Sequence, residues 1–319
     1  MSDRAELTDA FLSDAGWGGA TRIPLAGDAS SRRYERLRRG ADRAILMDAP
    51  PDICGSQDAF VRMSRHLRGI GLAAPDCLAA DPGSGLYLLE DLGEGMAAHV
   101  AEQGDEFAIY AAATDALVRM QEAPCPDWVR PYGPAEMVAA IAPARIAFGG
   151  EGHRPDWDAV EEILCALLET HDMPAVLIHR DYHAENLVWR PEREGLSRIG
   201  ILDFQDALAG HPAYDLASLL QDARRDVGRD LEEAMIRRFA DARGIAEGPF
   251  RIAYAVQAVQ RHLRILGIFA RLATEAGKPG YLRFVPRVRR DLDRDMSHPQ
   301  LATLRAHLDR LLPARDDAA

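Results

Sequence analysis

Over the first ninety residues stretches of strand-like apolar–polar patterning mix with stretches of helical spacing, whereas beyond them apolar positions recur mainly every third or fourth position. The first pattern marks a mixed α/β segment and the second a mainly helical one. Residues 4–14 read as a helix, followed by strands over 21–26 and 33–38 on either side of a glycine-containing turn. A third strand, Arg43-Ala44-Ile45-Leu46-Met47, is stopped by Pro50-Pro51. Residues 59–70 place Phe60, Met63, Leu67 and Ile70 on one helical face. The apolar run 86–90 is a strand that ends in a linker, Asp91-Leu92-Gly93-Glu94-Gly95. Helical spacing then governs 107–121, 134–146, 157–169, 213–223, 231–243 and 250–273. Two short apolar runs, 175–178 and 199–202, interrupt it. The pattern predicts an α+β chain of two lobes: a small β-rich one, residues 1–92, and a large helical one, 93–319.

Composition removes several classes of function. With 47% hydrophobic residues the 319-residue chain can fill a core, which excludes global disorder. Fifty acidic residues against 38 basic ones give a net charge of −12, an unfavourable balance for a nucleic-acid partner. No run of about 18 apolar residues predicts a membrane span. The charged start Met1-Ser2-Asp3-Arg4 lacks an apolar signal segment. Cys54, Cys77, Cys125 and Cys165 are too scattered for a disulfide framework or a zinc site. A cytoplasmic monomer is the expectation. Lys278 is the only lysine, so every other basic side chain that could serve a mechanism is an arginine.

The chemistry concentrates in His179-Arg180-Asp181-Tyr182-His183-Ala184-Glu185-Asn186, between two short apolar runs. An acid and an amide five positions apart on a tight loop let Asp181 face a substrate hydroxyl while Asn186 turns toward a metal. Seventeen residues later, in Ile201-Leu202-Asp203-Phe204-Gln205-Asp206, a carboxylate ends a strand, where it can bind a hard cation through oxygen. The pair reproduces the kinase template, in which an Asp accepts the hydroxyl proton and an Asn and a second Asp hold Mg2+. Two departures stand out: Gln205 replaces the template's glycine, and no A-P-E segment follows. His179, Asp181 and His183 could also form a transition-metal cluster, since imidazole and carboxylate both ligate such ions.

The turn Gly27-Asp28-Ala29-Ser30-Ser31-Arg32-Arg33 lies between two strands. It reads either as a simple hairpin or, as the first turn of a kinase-like lobe, as the cover of the ATP phosphates. The third strand carries Met47 where kinases carry lysine. Arg32 or Arg33 could replace that charge, or metal ions could carry it alone. A third option is a non-catalytic nucleotide-binding module. On the helix over 250–273, Gln257, Gln260, Arg261, Arg264 and Arg271 share an arc of about 100° on an otherwise apolar surface. Such a stripe answers either to intramolecular acids or to a substrate carboxylate, which suits arginine's bidentate geometry.

With His211-Pro212-Ala213-Tyr214-Asp215 following, the chain resembles the aminoglycoside phosphotransferase and choline kinase branch of the protein-kinase-like fold. Asp28-Ala29-Ser30, Met47-Asp48-Ala49-Pro50-Pro51, the Asp181 loop, Asp203-Phe204-Gln205-Asp206-Ala207 and 260–269 narrow the likeness further. Together they resemble the bacterial anomeric kinases of N-acetylmuramate and N-acetylglucosamine that serve cell-wall recycling. That resemblance covers nearly the whole chain. It implies ATP, Mg2+, an amino-sugar substrate and a 1-phosphate product, and it makes the absent third-strand lysine expected. Adenine is expected near Glu90 and Leu92. Asp48, Tyr182, His183, Gln205, Asp206, Arg261 and Arg264 are candidate sugar contacts. Kinases of aminoglycosides or amino alcohols are the nearest alternative.

Overall fold

The structure is a computed structural model that describes residues 2–25, 31–150 and 152–312. Its strands are β1 (Thr21–Pro24), β2 (Arg33–Arg39), β3 (Asp42–Asp48), β4 (Cys77–Asp81), β5 (Leu86–Glu90), β6 (Pro131–Tyr132), β7 (Val176–Ile178), β8 (Leu187–Trp189), β9 (Ile199–Ile201) and β10 (Leu208–Gly210). The helices of eight residues or more are α1 (Ser2–Asp14), α2 (Asp58–Gly69), α3 (Glu106–Glu122), α4 (Arg154–Thr170), α5 (Ala213–Leu220), α6 (Arg229–Arg243), α7 (Glu247–Thr274), α8 (Val285–Asp295) and α9 (Ala302–Leu311). Among the described residues, no helix is long and apolar enough to cross a membrane.

The chain forms two compact units, Met1–Val100 with Asn186–Asp206, and Ala101–Glu185 with Ala207–Ala319. The division therefore differs from the expected one at residue 92. Backbone pairing explains the difference. Trp189 N–H donates to Gly95 O (2.6 Å) and Ile201 N–H to Ala73 O (2.7 Å), which ties the β8–β9 hairpin to the first unit. Isolated bridges join Ala73 to Gly200 and Met96 to Val188.

The first unit is built on a five-stranded antiparallel sheet in the order β1-β2-β3-β5-β4. Leu37, Ala44, Leu46, Leu86 and Leu88 line one face and pack with Leu12 of α1 and with Trp17. The first strand ends at Pro24, short of the expected Ala26, which lies outside the described residues. Strand β4, where Ala79 and Ala80 offer little strand preference, is not predicted from sequence; it forms by pairing along β5 with an irregularity between Cys77 and Ala79.

In the second unit, helices surround a core that includes Trp157, Leu164, Val259, Leu263 and Leu304, beside a short sheet in the order β6-β10-β7. The helix expected over 134–146 is two helices, Pro134–Ala139 and Ala142–Phe148. Pro143 lacks the N–H that a continuous helix would need. The C-terminal helices α8 and α9 are rich in charge, yet they bury Val288, Leu292, Leu304 and Leu308.

Helix α7 makes its closest approach at Gly267, where an added Cβ would overlap the backbone of Pro143 and Ala144. Gly267→Val should therefore force the two helices apart and cost about 1–3 kcal/mol. Thermal denaturation should show a fall of about 2–4 °C for each kcal/mol. An unchanged melting temperature would show that the helices separate freely.

Candidate active site

The first unit holds a cavity of about 600 Å3 whose walls include Tyr34, Arg36, Ile45, Leu89 and Phe60, within the ordinary size range of ligand sites. Strand alternation decides which side chains reach it. Register pairs Tyr34 with Met47, Arg36 with Ile45, and Ile45 with Leu89, so these residues share the cavity face. Arg32 also lines the cavity, and its guanidinium is 4.0 Å from the Asp203 carboxylate. Arg33 has the opposite parity. It pairs with Asp48 at 2.9 Å, and Asp48 also accepts from Arg4 at 2.5 Å. Arg33 and Asp48, expected at the phosphates and the sugar respectively, instead form an ion-pair cluster with α1 on the other face.

Met47 is fully buried on the cavity face and supplies no charge at the lysine position. Arg36 grips the following segment: it donates to Asp91 at 2.7 and 3.1 Å and to Gly93 O at 3.0 Å. Glu90 and Leu92, expected near adenine, both line the cavity, and the Glu90 carboxylate accepts from Arg68 at 2.7 Å. Ser31 is exposed, while Gly27, Asp28, Ala29 and Ser30 lie outside the described residues.

Asn186 and Asp203 also line this cavity. They flank the same end of the β8–β9 hairpin, where Leu187 faces Ile201 and Leu202 N–H donates to Asn186 O at 2.9 Å. Asp203 adopts a left-handed backbone (φ 60°). Buried Phe204 stacks on Phe60 of α2 with ring centroids 4.9 Å apart, which fixes the turn. Gln205 donates to Asp203 at 2.9 Å and to Asp206 at 3.3 Å, bridging the two carboxylates. An amide oxygen and a half-exposed carboxylate are hard donors that fit Mg2+. Among the described residues, no group of three His, Cys, Asp or Glu side chains could hold a metal. The transition-metal reading of His179, Asp181 and His183 therefore has no geometric basis.

The Asp181 loop belongs to the second unit. Asp215, fully buried in α5, accepts from His179 N–H at 2.5 Å and from Arg180 N–H at 2.8 Å. Burial pushes the Asp215 carboxyl up to about 6, against the opposing influence of His179 and of these two donors. Directly after this clamp Arg180 has φ 80°, left-handed geometry that is costly for a residue with a Cβ. Tyr182, expected at the sugar, is fully buried and donates to Ala113 O at 2.9 Å. Its ring meets His179 edge-on at 5.6 Å. It is a core residue, because the residue after Asp181 on this turn points into the protein. His183 is also buried, its pKa held down to about 4 by burial, and its Nε2 is 3.1 Å from Arg224.

Asp181 is half-buried. Burial raises its pKa, but the charges of Arg264, His183, Arg261 and His179 outweigh that and hold it below the ordinary carboxylate value. Arg261 is buried and donates to Gln221 O at 3.2 Å. Arg264, one turn on, donates to Tyr214 Oη at 3.3 Å. On the same stripe Gln260 donates to Met137 O at 2.6 Å, while Arg271 is exposed at the far end.

Sequence reasoning assigned no positioning role to the residues that hold others in place: Asp215, the Arg36–Asp91 pair, Tyr132 and Phe60. Only Asp215 carried a signal, as an acid inside the apolar helix Ala213–Leu220.

The chain is 39% identical to an N-acetylmuramate/N-acetylglucosamine kinase of Caulobacter vibrioides, over 98% of each protein. A choline/ethanolamine kinase family protein from Mesorhizobium loti shares the fold, with a TM-score of 0.66 and 17% identity over 97% of this chain and 98% of that one. So does an aminoglycoside phosphotransferase solved with ADP bound, with a TM-score of 0.66 and 12% identity over 91% of this chain and 98% of that one. These neighbours make the fold protein-kinase-like. Residues 21–255 match the phosphotransferase enzyme family, a span that takes in the sheet, the Asp181 loop, Asn186, Asp203 and the start of α7, and the chain belongs to that family.

Proposed function

We propose that this chain is an ATP-dependent sugar kinase that phosphorylates the anomeric C1 hydroxyl of N-acetylmuramate and N-acetylglucosamine. The observation that carries the reading is near-full-length identity of 39% with a kinase of those two sugars, in a chain that keeps Asp181, Asn186 and Asp203. The Asp181 carboxylate orients the sugar hydroxyl and accepts its proton. The sugar oxygen bonds to the γ-phosphorus, the bond from that phosphorus to its bridging oxygen breaks, and ADP leaves. Asn186 and Asp203 would hold Mg2+, which offsets phosphate charge when bound. Arg32 supplies the cation that a third-strand lysine supplies elsewhere. Positioning and charge neutralisation provide most of the rate.

Asp181→Asn should lower kcat by about 10²–10⁴ while MgATP still binds, the range for losing a general base. Because neighbouring cations hold Asp181 below its ordinary pKa, kcat/KM should fall with acidification only below about pH 4. An acid limb near pH 6 would assign the base elsewhere.

The parity of β2 separates two arginines. Arg32→Ala should weaken MgATP binding by about tenfold to a hundredfold, the worth of one charge-assisted contact. Arg33→Ala and Lys278→Ala should not weaken it. Calorimetric titration of the three variants decides, and equal affinities throughout would leave phosphate neutralisation to the metal and backbone.

A product phosphorylated at C1 is acid-labile and visible by phosphorus NMR. The methyl glycosides, blocked at C1, should give no product. Phosphorylation of a blocked sugar at another hydroxyl would refute the C1 assignment, and turnover of aminoglycosides or choline instead would refute the sugar.

A further inference from the structure

Most arginines of this chain answer to an acid: Arg36 pairs with Asp91 at 2.7 Å, Arg238 with Asp115 at 2.6 Å and Arg287 with Asp226 at 2.9 Å. Around the Asp181 loop, Arg224 follows the same rule and pairs with Glu185 at 2.8 Å, but three other guanidiniums differ. Among the described residues, Arg180, Arg261 and Arg264 have no carboxylate within ion-pair distance; their contacts are a carbonyl, a phenol and an aromatic face. Arg261 is buried against Gln221 O and is not available to a ligand. Arg180 and Arg264 are only partly buried. Both bear on one aromatic platform, in which Tyr132 and Tyr214 meet edge-to-face at 5.6 Å. Arg264 touches the Tyr214 hydroxyl at 3.3 Å, and the Arg180 guanidinium lies 6.0 Å from the Tyr132 ring centre. The buried Nε of Arg180 has no hydrogen-bond partner. Asp181 acts on Arg264 through space, yet one carboxylate does not balance the group.

Two neighbouring forks beside the attacking hydroxyl's base, each without an acid, match a planar anion that accepts from both. The two sugars of the proposed reaction differ in this respect. N-acetylmuramate carries a lactyl carboxylate, and N-acetylglucosamine carries a hydroxyl in its place. We infer that Arg264, with Arg180 beside it, binds the substrate carboxylate and makes the enzyme favour the acidic amino sugar over neutral ones. This inference rests on the sugar-kinase reading above.

The test compares N-acetylmuramate with its lactyl amide, which keeps shape and removes charge. Wild-type kcat/KM should favour the acid by about tenfold to a hundredfold, expressed in KM, the worth of a charge-assisted pair. Arg264→Met should collapse that ratio to within about threefold, and Arg264→Lys should retain part of it. Loss of Arg264 should also raise the acid limb set by Asp181, but equally for both substrates, so the ratio isolates carboxylate binding. A ratio that survives Arg264→Met, or equal losses for acid and amide, would overturn the inference and assign Arg264 to Asp181 or to the transferred phosphate. If Arg264→Met does not fold, a wild-type ratio near one overturns it alone. Failure of wild-type enzyme to phosphorylate either N-acetyl sugar would instead overturn the kinase reading on which it rests.

Discussion

One buried carboxylate sets the geometry of the loop that carries Asp181. Asp215 accepts from two consecutive backbone N–H groups, those of His179 and Arg180. Both amides converge on the two oxygens of one side chain, which anchors the backbone immediately before Arg180. Arg180 then takes a left-handed backbone that turns the chain toward Asp181, a conformation that costs about 1–3 kcal/mol. Two hydrogen bonds to a charged acceptor, each worth about 1.5–3 kcal/mol, offset it. Asp215 also lies in the first turn of α5, where the helix dipole favours a negative charge. The next residues then have no freedom: Tyr182 is fixed to Ala113 O, and His183 N–H closes a turn on Asp181 O at 3.1 Å. Asp181 projects from a frame held at both ends.

A chain with a single lysine must handle phosphate and acid chemistry with guanidiniums, and their shape changes what the charges do. Arg36 holds the Asp91 carboxylate with two nitrogens and the Gly93 carbonyl with one of them. A lysine, a point charge on a flexible stem, could not fix that segment in orientation as well as in place. Arginine is also never neutralised by burial, so Arg261 can stand in the interior and still bear on Asp181. The cost is selectivity of placement. Arg32 and Arg33 are adjacent, yet strand alternation gives one to the cavity and commits the other to Asp48.

Local pattern made much of this legible. The alternation of β2 and β3, the spacing of Phe60, Met63 and Leu67, and the joint appearance of Asp181, Asn186 and Asp203 all depend on neighbours in sequence. What was not legible depends on partners far along the chain. The Asp48 cluster requires Arg4 from α1 and the register of β2 on β3. The β8–β9 hairpin joins the first unit through Ala73 and Gly95, about a hundred residues earlier, which no periodicity reports. Tyr182 looked like a sugar contact because it adjoins Asp181, but adjacency on a tight turn sends consecutive side chains in opposite directions. Strand β4 has no apolar alternation of its own strong enough to announce it.

The state of Asp181 bears on which hydroxyl it serves. A carboxylate held below its ordinary pKa stays ionised at neutral pH, but it is a correspondingly weak base. Such a base is poorly matched to an ordinary alcohol, whose proton it could take only late in the reaction. Phosphoryl transfer relaxes the demand, because its loose transition state needs little nucleophile deprotonation before the bond to the leaving oxygen has weakened. A hemiacetal hydroxyl relaxes it further: the ring oxygen withdraws electron density from C1 and makes that proton more acidic than those of the other sugar hydroxyls. Arg264, the first of the cations that weaken Asp181 as a base, is also the one offered to an anionic substrate. Arg264 thus answers to two acids, the Asp181 carboxylate within the protein and the substrate carboxylate inferred above, and a planar fork with several donors can face both where a point charge could not.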